Sequence, residues 1–170
     1  WIWVKYIFFI FTLVNFLNEE NSHSDLPDSS IININSKSLL QSIDHIKLFT
    51  SLNPFDFGII SYLHSQNDIL SSGGSVKTIS VSQALPFSEG IIESFFMEYF
   101  MKGIKSEAIK DGSIIASGHS YQSKEPGITI TMNGSYEKQI TKSQAQESEL
   151  IYLSKPLGTG YLLAAYFNNS

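Results

Sequence analysis

Three aspartates stand where the chain changes character: Asp28 ahead of one apolar run, Asp44 late in a second, and Asp68 near the end of a helix-like stretch. Carboxylates at element edges can converge on a ligand. Mg²⁺ takes octahedral oxygen ligands, usually one or two carboxylates plus substrate phosphates. Like charges repel, so a converged set implies a cation between them. Taken singly, each aspartate is also what a solvated turn or cap carries. Gly118-His119-Ser120 follows the short apolar run Ile114–Ala116 and could offer backbone N–H groups and a hydroxyl to phosphate. An ordinary strand-to-loop turn with an exposed histidine has the same pattern. Lys155-Pro156-Leu157-Gly158-Thr159-Gly160 sets a lysine and glycines just before a helix start, where anions bind, and reads equally as a linker. His23, His45 and His64 show no metal-ligand spacing, and no serine triad is evident.

Composition limits the chemistry. The chain has 170 residues, 42% hydrophobic and 13% aromatic, which excludes disorder and suits one ordinary domain, or one domain with a piece of another. It has no cysteine, which removes disulfide frameworks, zinc ribbons and thiol catalysis. All eleven basic residues are lysines, and the net charge is −5. Nucleic-acid surfaces lean on guanidinium groups to read phosphates and guanines, so none is expected here. A polyphosphate ligand would have to be held by lysine, backbone N–H groups and a metal cation.

These groups need elements to position them. Trp1 to Leu17 is apolar except for Lys5, Thr12 and Asn15, and reads as a buried helix or a short membrane anchor. Ile31–Ile34 and Leu39–Ile46 read as paired strands. Asn53-Pro54 supplies a cap and a first-turn proline for a helix burying Phe55, Ile59, Ile60 and Leu63, which Ser71-Ser72-Gly73-Gly74 ends. Val76–Leu85 is a strand. Ser88 caps a helix whose stripe is Ile92, Phe95, Phe96, Tyr99, Phe100 and Ile104, stopped at Lys110-Asp111-Gly112. Strands follow at Ile114–Ala116, Ile128–Asn133 and Leu150–Leu153, with a polar linker at Gln139–Ser148 and a last helix beginning near Gly160. Strands in adjacent pairs predict an α+β fold with a mixed, largely antiparallel sheet flanked by helices. The divisions expected are an apolar N-terminal helix over 1–19, a nucleotide-binding domain over 20–149, and the start of a truncated second domain over 150–170.

In this order the segments resemble the selenide, water dikinases (selenophosphate synthetases) of the aminoimidazole-ribonucleotide-synthetase-like superfamily. The matching pieces are Pro27-Asp28-Ser29-Ser30-Ile31, Gln41-Ser42-Ile43-Asp44, Asn53-Pro54-Phe55-Asp56-Phe57-Gly58, Asn67-Asp68 through Gly74, Ser117-Gly118-His119-Ser120 with Glu125-Pro126, and Ser154 through Gly160. The resemblance implies a phosphotransfer that turns ATP, selenide and water into selenophosphate, AMP and phosphate; the alternatives are a non-catalytic dimerisation or nucleotide-binding remnant of that family, or another superfamily member such as a purine-pathway synthetase or thiamine-phosphate kinase. It implies Mg²⁺ at Asp28 and Asp68, ATP contacts from Asp44 and Asp68, and a nucleotide site lined by Gly118, His119 and Ser120. It also implies a cytoplasmic homodimer whose sheets join, with neither nucleic acid nor membrane as the favoured partner. The family's glycine-rich loop, with its cysteine or selenocysteine, has no counterpart; Trp1–Leu17 stands in that place. Pro27 replaces the first aspartate of the paired element, and Gln122 stands where an aspartate is usual. No catalytic residue is assigned.

Overall fold

The computed structural model describes residues 28–34, 37–48, 52–88, 90–138, 140–141, 145–153 and 156–168. The expectations for Trp1–Leu17 and Lys155 lie outside them. Five strands form one sheet: β1 (Ser30–Ile34), β2 (Lys37–Lys47), β3 (Gly74–Pro86), β4 (Ile114–Ser123) and β5 (Gly127–Tyr136). Helices α1 (Pro54–Ser71) and α2 (Gly90–Asp111) interrupt them, and α3 (Thr159–Asn168) follows. The sheet order is β1-β2-β5-β3-β4, so the last of these five strands inserts between β2 and β3. Three pairings are antiparallel and only β3–β4 is parallel. The parallel pair needs a crossover, and α2 supplies it. The α+β, largely antiparallel expectation holds.

Both α1 and α2 pack on one face of the sheet, α1 over β2, β5 and β3, and α2 over β3 and β4. Alternation along the strands sends Leu40, Ile79, Val81, Ile128, Ile130 and Met132 into the space beneath, where they are buried with Phe57, Ile69, Phe100 and Ile104. The helices cross at two glycines. A Cβ on Gly58 would lie 2.4 Å from the Phe100 carbonyl oxygen, and one on Gly103 would lie 2.1 Å from that of Phe55. No larger residue permits this approach.

That crossing fixes how each helix is rotated, and it corrects two expectations. In α1 the buried residues are Phe57, Gly58, Ser61, Tyr62, Ser65 and Ile69, while Ile60 and Leu63 face outward. In α2 the burial starts only at Phe100 and continues through Gly103, Ile104, Glu107 and Ala108. Phe96 packs at the core's edge, but Ile92, Phe95 and Tyr99 are exposed. Ser88 does not cap α2, because its hydroxyl donates to the Pro86 carbonyl at 3.4 Å and the helix begins at Gly90. Asn53 is a cap as expected: its Oδ1 accepts from the Asp56 N–H at 2.9 Å, with Pro54 in the first turn. Gly73 and Gly112, at positive φ, close the two helices. Leu150–Leu153 is not a strand; it pairs with nothing in the sheet and Ile151 is 91% exposed.

Candidate functional site on two flanks of the helical layer

The aspartates lie along one flank. His64, Asp68 and Ser72 sit one helical turn apart on α1 and its C-cap, a stripe roughly 12 Å long at 1.5 Å per residue. Each touches one part of the expected constellation. The His64 Nε2 is 3.9 Å from Asp44 Oδ1 on β2. The Ser72 hydroxyl donates to the Asp68 carbonyl at 3.1 Å and shares a buried 2.7 Å hydrogen bond with Ser29, the neighbour of Asp28. The fold therefore carries positions 28, 44 and 68 to a single edge of α1. Among the described residues, no three histidine, aspartate or glutamate side chains converge as a ligand set for a metal.

Beneath this stripe the packing is polar and incompletely paired. Asp44 Oδ2 and the hydroxyls of Ser42, Ser61 and Ser65 are buried with no hydrogen-bond partner. Ile69 approaches Gly74 and Gly134, the latter the register partner of Leu40. Stepping back along α1 from there puts Ser65 at the level of Ser42 and Ser61 at the level of Asp44. An ionised carboxylate only accepts, so an unpaired buried oxygen is a group with capacity for a cation or a donor. On that count Asp44 fits a metal or a metal-bound ligand at this flank.

The other flank is open. Between α2 and the edge strand β4 runs a groove of about 760 Å³. Val81, Ile115, Met97 and Met101 make its apolar wall, and Lys102, Lys105 and Glu98 stand over it from α2. Lys102 Nζ is 2.7 Å from Glu98 Oε1, and this hydrogen bond holds the ammonium above its ordinary pKa. Gly118, His119 and Ser120 line the same groove. They do so from inside a strand: β4 runs on to Ser123, which replaces the expected strand-to-loop turn. Ser120 points at the helices, donating to Gln83 Oε1 at 3.2 Å and lying 3.8 Å from Met97 Sδ. The His119 ring is stacked with Tyr121 at 6.1 Å, and alternation turns both to the far side of β4, with Ser82. As an edge strand, β4 keeps the outward side of its backbone unpaired within the sheet.

The groove residues of α2 escaped the sequence reading. Lys102 and Lys105 fall at the helical spacing that any solvated face shows, and nothing in the sequence says that face overlooks Gly118. Asp44 and Gly118 lie in one cross-strand row through Ile130 and Val81. Three strand spacings separate them, roughly 14 Å, with the helical layer between the two flanks. One chain thus sets positions 28, 44 and 68 along α1 and the glycine–histidine–serine element along the groove, three strands away.

The far face of the sheet bears no helix among the described residues. Alternation puts Gln41, Ile43 and His45 of β2 there, with Thr129, Thr131 and Asn133 of β5 and Thr78, Ser80 and Ser82 of β3. Gln41 donates to Asn133 at 2.8 Å, and His45 Nδ1 is 2.8 Å from the Thr129 hydroxyl.

A mixed five-stranded sheet with two helices on one face defines the class of fold. The chain belongs to the family described as AIR synthase related protein, N-terminal domain, which matches residues 27–136. Within it the chain is similar to selenide, water dikinases. It is 28% identical to that of Treponema denticola over 144 residues, 81% of this chain and 39% of the relative. It is 31% identical to that of Haemophilus influenzae over 115 residues, 66% of this chain and 33% of the relative. The chain thus spans about two fifths or less of these relatives' length. Among solved structures the fold is similar to AaThiL complexed with AMPPCP and TMP, with TM-score 0.67 and 20% identity over 80% of this chain and 45% of that one. It is also similar to hydrogenase maturation protein HypE in complex with ATP, with TM-score 0.51 and 17% identity over 71% of this chain and 35% of that one.

Proposed function

We propose that this chain is the ATP- and magnesium-binding part of a selenophosphate synthetase-like phosphotransferase. The observation that carries the reading is the groove: Gly118, His119 and Ser120 meet two lysines and an apolar wall there. An apolar slot with a few placed polar groups is what a nucleotide base and sugar need. Lysine ammonium groups and unpaired edge-strand N–H groups suit phosphate oxygens in a chain without arginine. Asp28 and Asp68 would hold Mg²⁺ with Asp44 beside them, and the ion would supply charge neutralisation between phosphate oxygens. Phosphoryl transfer asks for positioning and neutralisation more than covalent chemistry, which lysines and carboxylates can supply.

Likeness to selenide, water dikinases supports selenide as the acceptor, and likeness to the AMPPCP- and ATP-bound structures supports the nucleotide. A second reading, thiamine-phosphate kinase, draws on AaThiL with TMP. The exposed polar sheet face supports a homodimer in which a second copy covers it, and Thr131→Arg should leave that species monomeric in sedimentation.

Calorimetry decides the core of the proposal. ATP should bind the chain, or a longer protein that contains it, only with Mg²⁺ present, and Asp68→Asn should weaken it. Magnesium-independent binding, or an Asp68→Asn variant that binds equally well, would sink the assignment. A double-mutant cycle between Asp44→Asn and Ser120→Leu tests whether the flanks share a nucleotide. Additive losses would separate them. Formation of AMP from ATP that requires selenide, and not thiamine phosphate, would distinguish the two acceptors.

A further inference from the structure

A buried amide sets the polarity of the groove. Gln83 is 2% exposed on β3, and its register partner on β4 is Ser120. Its Nε2 lies 3.3 Å from the Met97 carbonyl oxygen of α2, and its Oε1 lies 3.2 Å from the Ser120 hydroxyl. A carbonyl only accepts, so the amide turns its NH₂ to Met97 and its oxygen to Ser120. The flipped amide would set two acceptors against each other. The Gln83 oxygen only accepts in turn, so Ser120 donates to it. The Met97 thioether, 3.8 Å from the same hydroxyl, is a weak acceptor, and the amide oxygen takes the single proton. Ser120 therefore offers the groove lone pairs and no hydrogen.

The two ends of the groove differ in character. One alternation beyond Ser120, Gln122 Nε2 donates to Glu93 Oε2 at 2.9 Å and bridges β4 to α2 across that end. The cations stand toward the other end: Lys105 is eight residues past Met97 on α2, roughly 12 Å along the axis. A ligand with its phosphates at the lysines therefore has its opposite end at Ser120. We propose that this end is an amine-reading pocket, in which Ser120, oriented by Gln83, accepts a hydrogen bond from the exocyclic amino group of an adenine base. The inference rests on the nucleotide reading of the groove and makes Gln83 a positioning residue. An oxo group or a phosphate oxygen at this place would meet lone pairs with lone pairs and leave acceptors unpaired. A flat base also suits the neighbouring Met97, because thioether sulfur packs favourably on aromatic rings.

Calorimetric titration with ATP and with ITP, whose base carries an oxo group in place of the amine, reads the pocket as a ratio of affinities. With Mg²⁺ present, ATP should bind about tenfold tighter than ITP or better. Ser120→Ala alters an exposed position and should bring the two within about threefold. Gln83→Leu leaves the Ser120 proton free to turn toward an oxo group, so it should narrow the ratio with Ser120 still in place. A purely structural Gln83 would weaken both nucleotides equally. Lys105→Ala, at the phosphate end, should weaken both and keep the ratio. Equal affinities in the unaltered chain overturn the pocket. So does a ratio that Ser120→Ala or a folded Gln83→Leu leaves intact, or a loss that appears with deoxy-ATP and not with ITP. If Gln83→Leu does not fold by circular dichroism, Ser120→Ala decides alone. Binding of neither nucleotide removes the nucleotide reading and the pocket together, whereas equal binding removes only the pocket.

Discussion

The two flanks of the helical layer solve one packing problem in opposite ways. Where α1 meets β2, small hydroxyl side chains let the helix settle close, and Ser42, Ser61 and Ser65 are sealed with one carboxylate oxygen of the partly exposed Asp44. Where α2 meets β4, Met97, Met101, Lys102 and Lys105 hold the surfaces apart and a groove remains. Side-chain length thus decides where the same architecture buries polar groups and where it admits a ligand. The polar groups of the sealed flank are few and fixed; those of the open flank reach solvent.

The largest effect should come from the crossing that holds both flanks. Gly103→Ala puts a methyl group against the Phe55 carbonyl and should cost about 3 kcal/mol in chemical denaturation. A loss under 1 kcal/mol would mean that the helices reseat freely. Next come tests that separate the flanks. Ser120→Leu fills the groove and Lys105→Ala removes a cation, so each should weaken ATP binding about tenfold, near 1.4 kcal/mol. Neither should change the magnesium requirement, whereas Asp44→Asn should.

Tyr62 ties the helices together by donating to Asp111 and lying 2.9 Å from the Ser113 hydroxyl. Burial, then the Asp111 carboxylate, pushes its phenol pKa well above the ordinary value. A raised folded-state pKa means the folded chain keeps the proton longer than the unfolded one. Stability from this group is therefore whole below about pH 10, the unfolded value, and declines as pH rises beyond it. Tyr62→Phe should cost about 1.5 kcal/mol at pH 7 and flatten that alkaline decline in pH-dependent melts.

Ser65→Ala sharpens the reading of the sealed flank. A buried hydroxyl without a partner should be lost at no cost, or with a gain of up to about 1 kcal/mol. Clear destabilisation would show that the hydroxyl is engaged. Smallest of all is Glu125, fully exposed, whose pKa Lys47 lowers through a 2.7 Å hydrogen bond. Its contribution is present above the ordinary carboxylate pKa and disappears as pH falls through the depressed one. Glu125→Gln should leave the thermal midpoint at pH 7 almost unmoved.

Local signals were legible in the sequence and long-range geometry was not. Asn53-Pro54, the glycines at 73 and 112, and the alternation at 128–133 each act through the nearest few residues, and their elements stand where they were read. The burial of α1 and α2 misled because periodicity marks apolar positions but not the helix rotation. Gly58 and Gly103 set that rotation from 45 residues apart in the chain. The reach of β4 was missed because Ser117 through Ser123 is polar, as an exposed edge strand can be. Positions 28, 44 and 68 fall along α1, but their distance from Gly118 depends on strand order, which no local pattern encodes.

That strand order has a cost during synthesis. The middle strand is the last of the five to leave the ribosome, so until residues 127–136 emerge, β2 and β3 each face water with a bare hydrogen-bonding edge. A nascent chain halted in that interval would hold a hairpin and a crossover unit with nothing to join them, and open edges of this kind invite pairing with neighbouring chains.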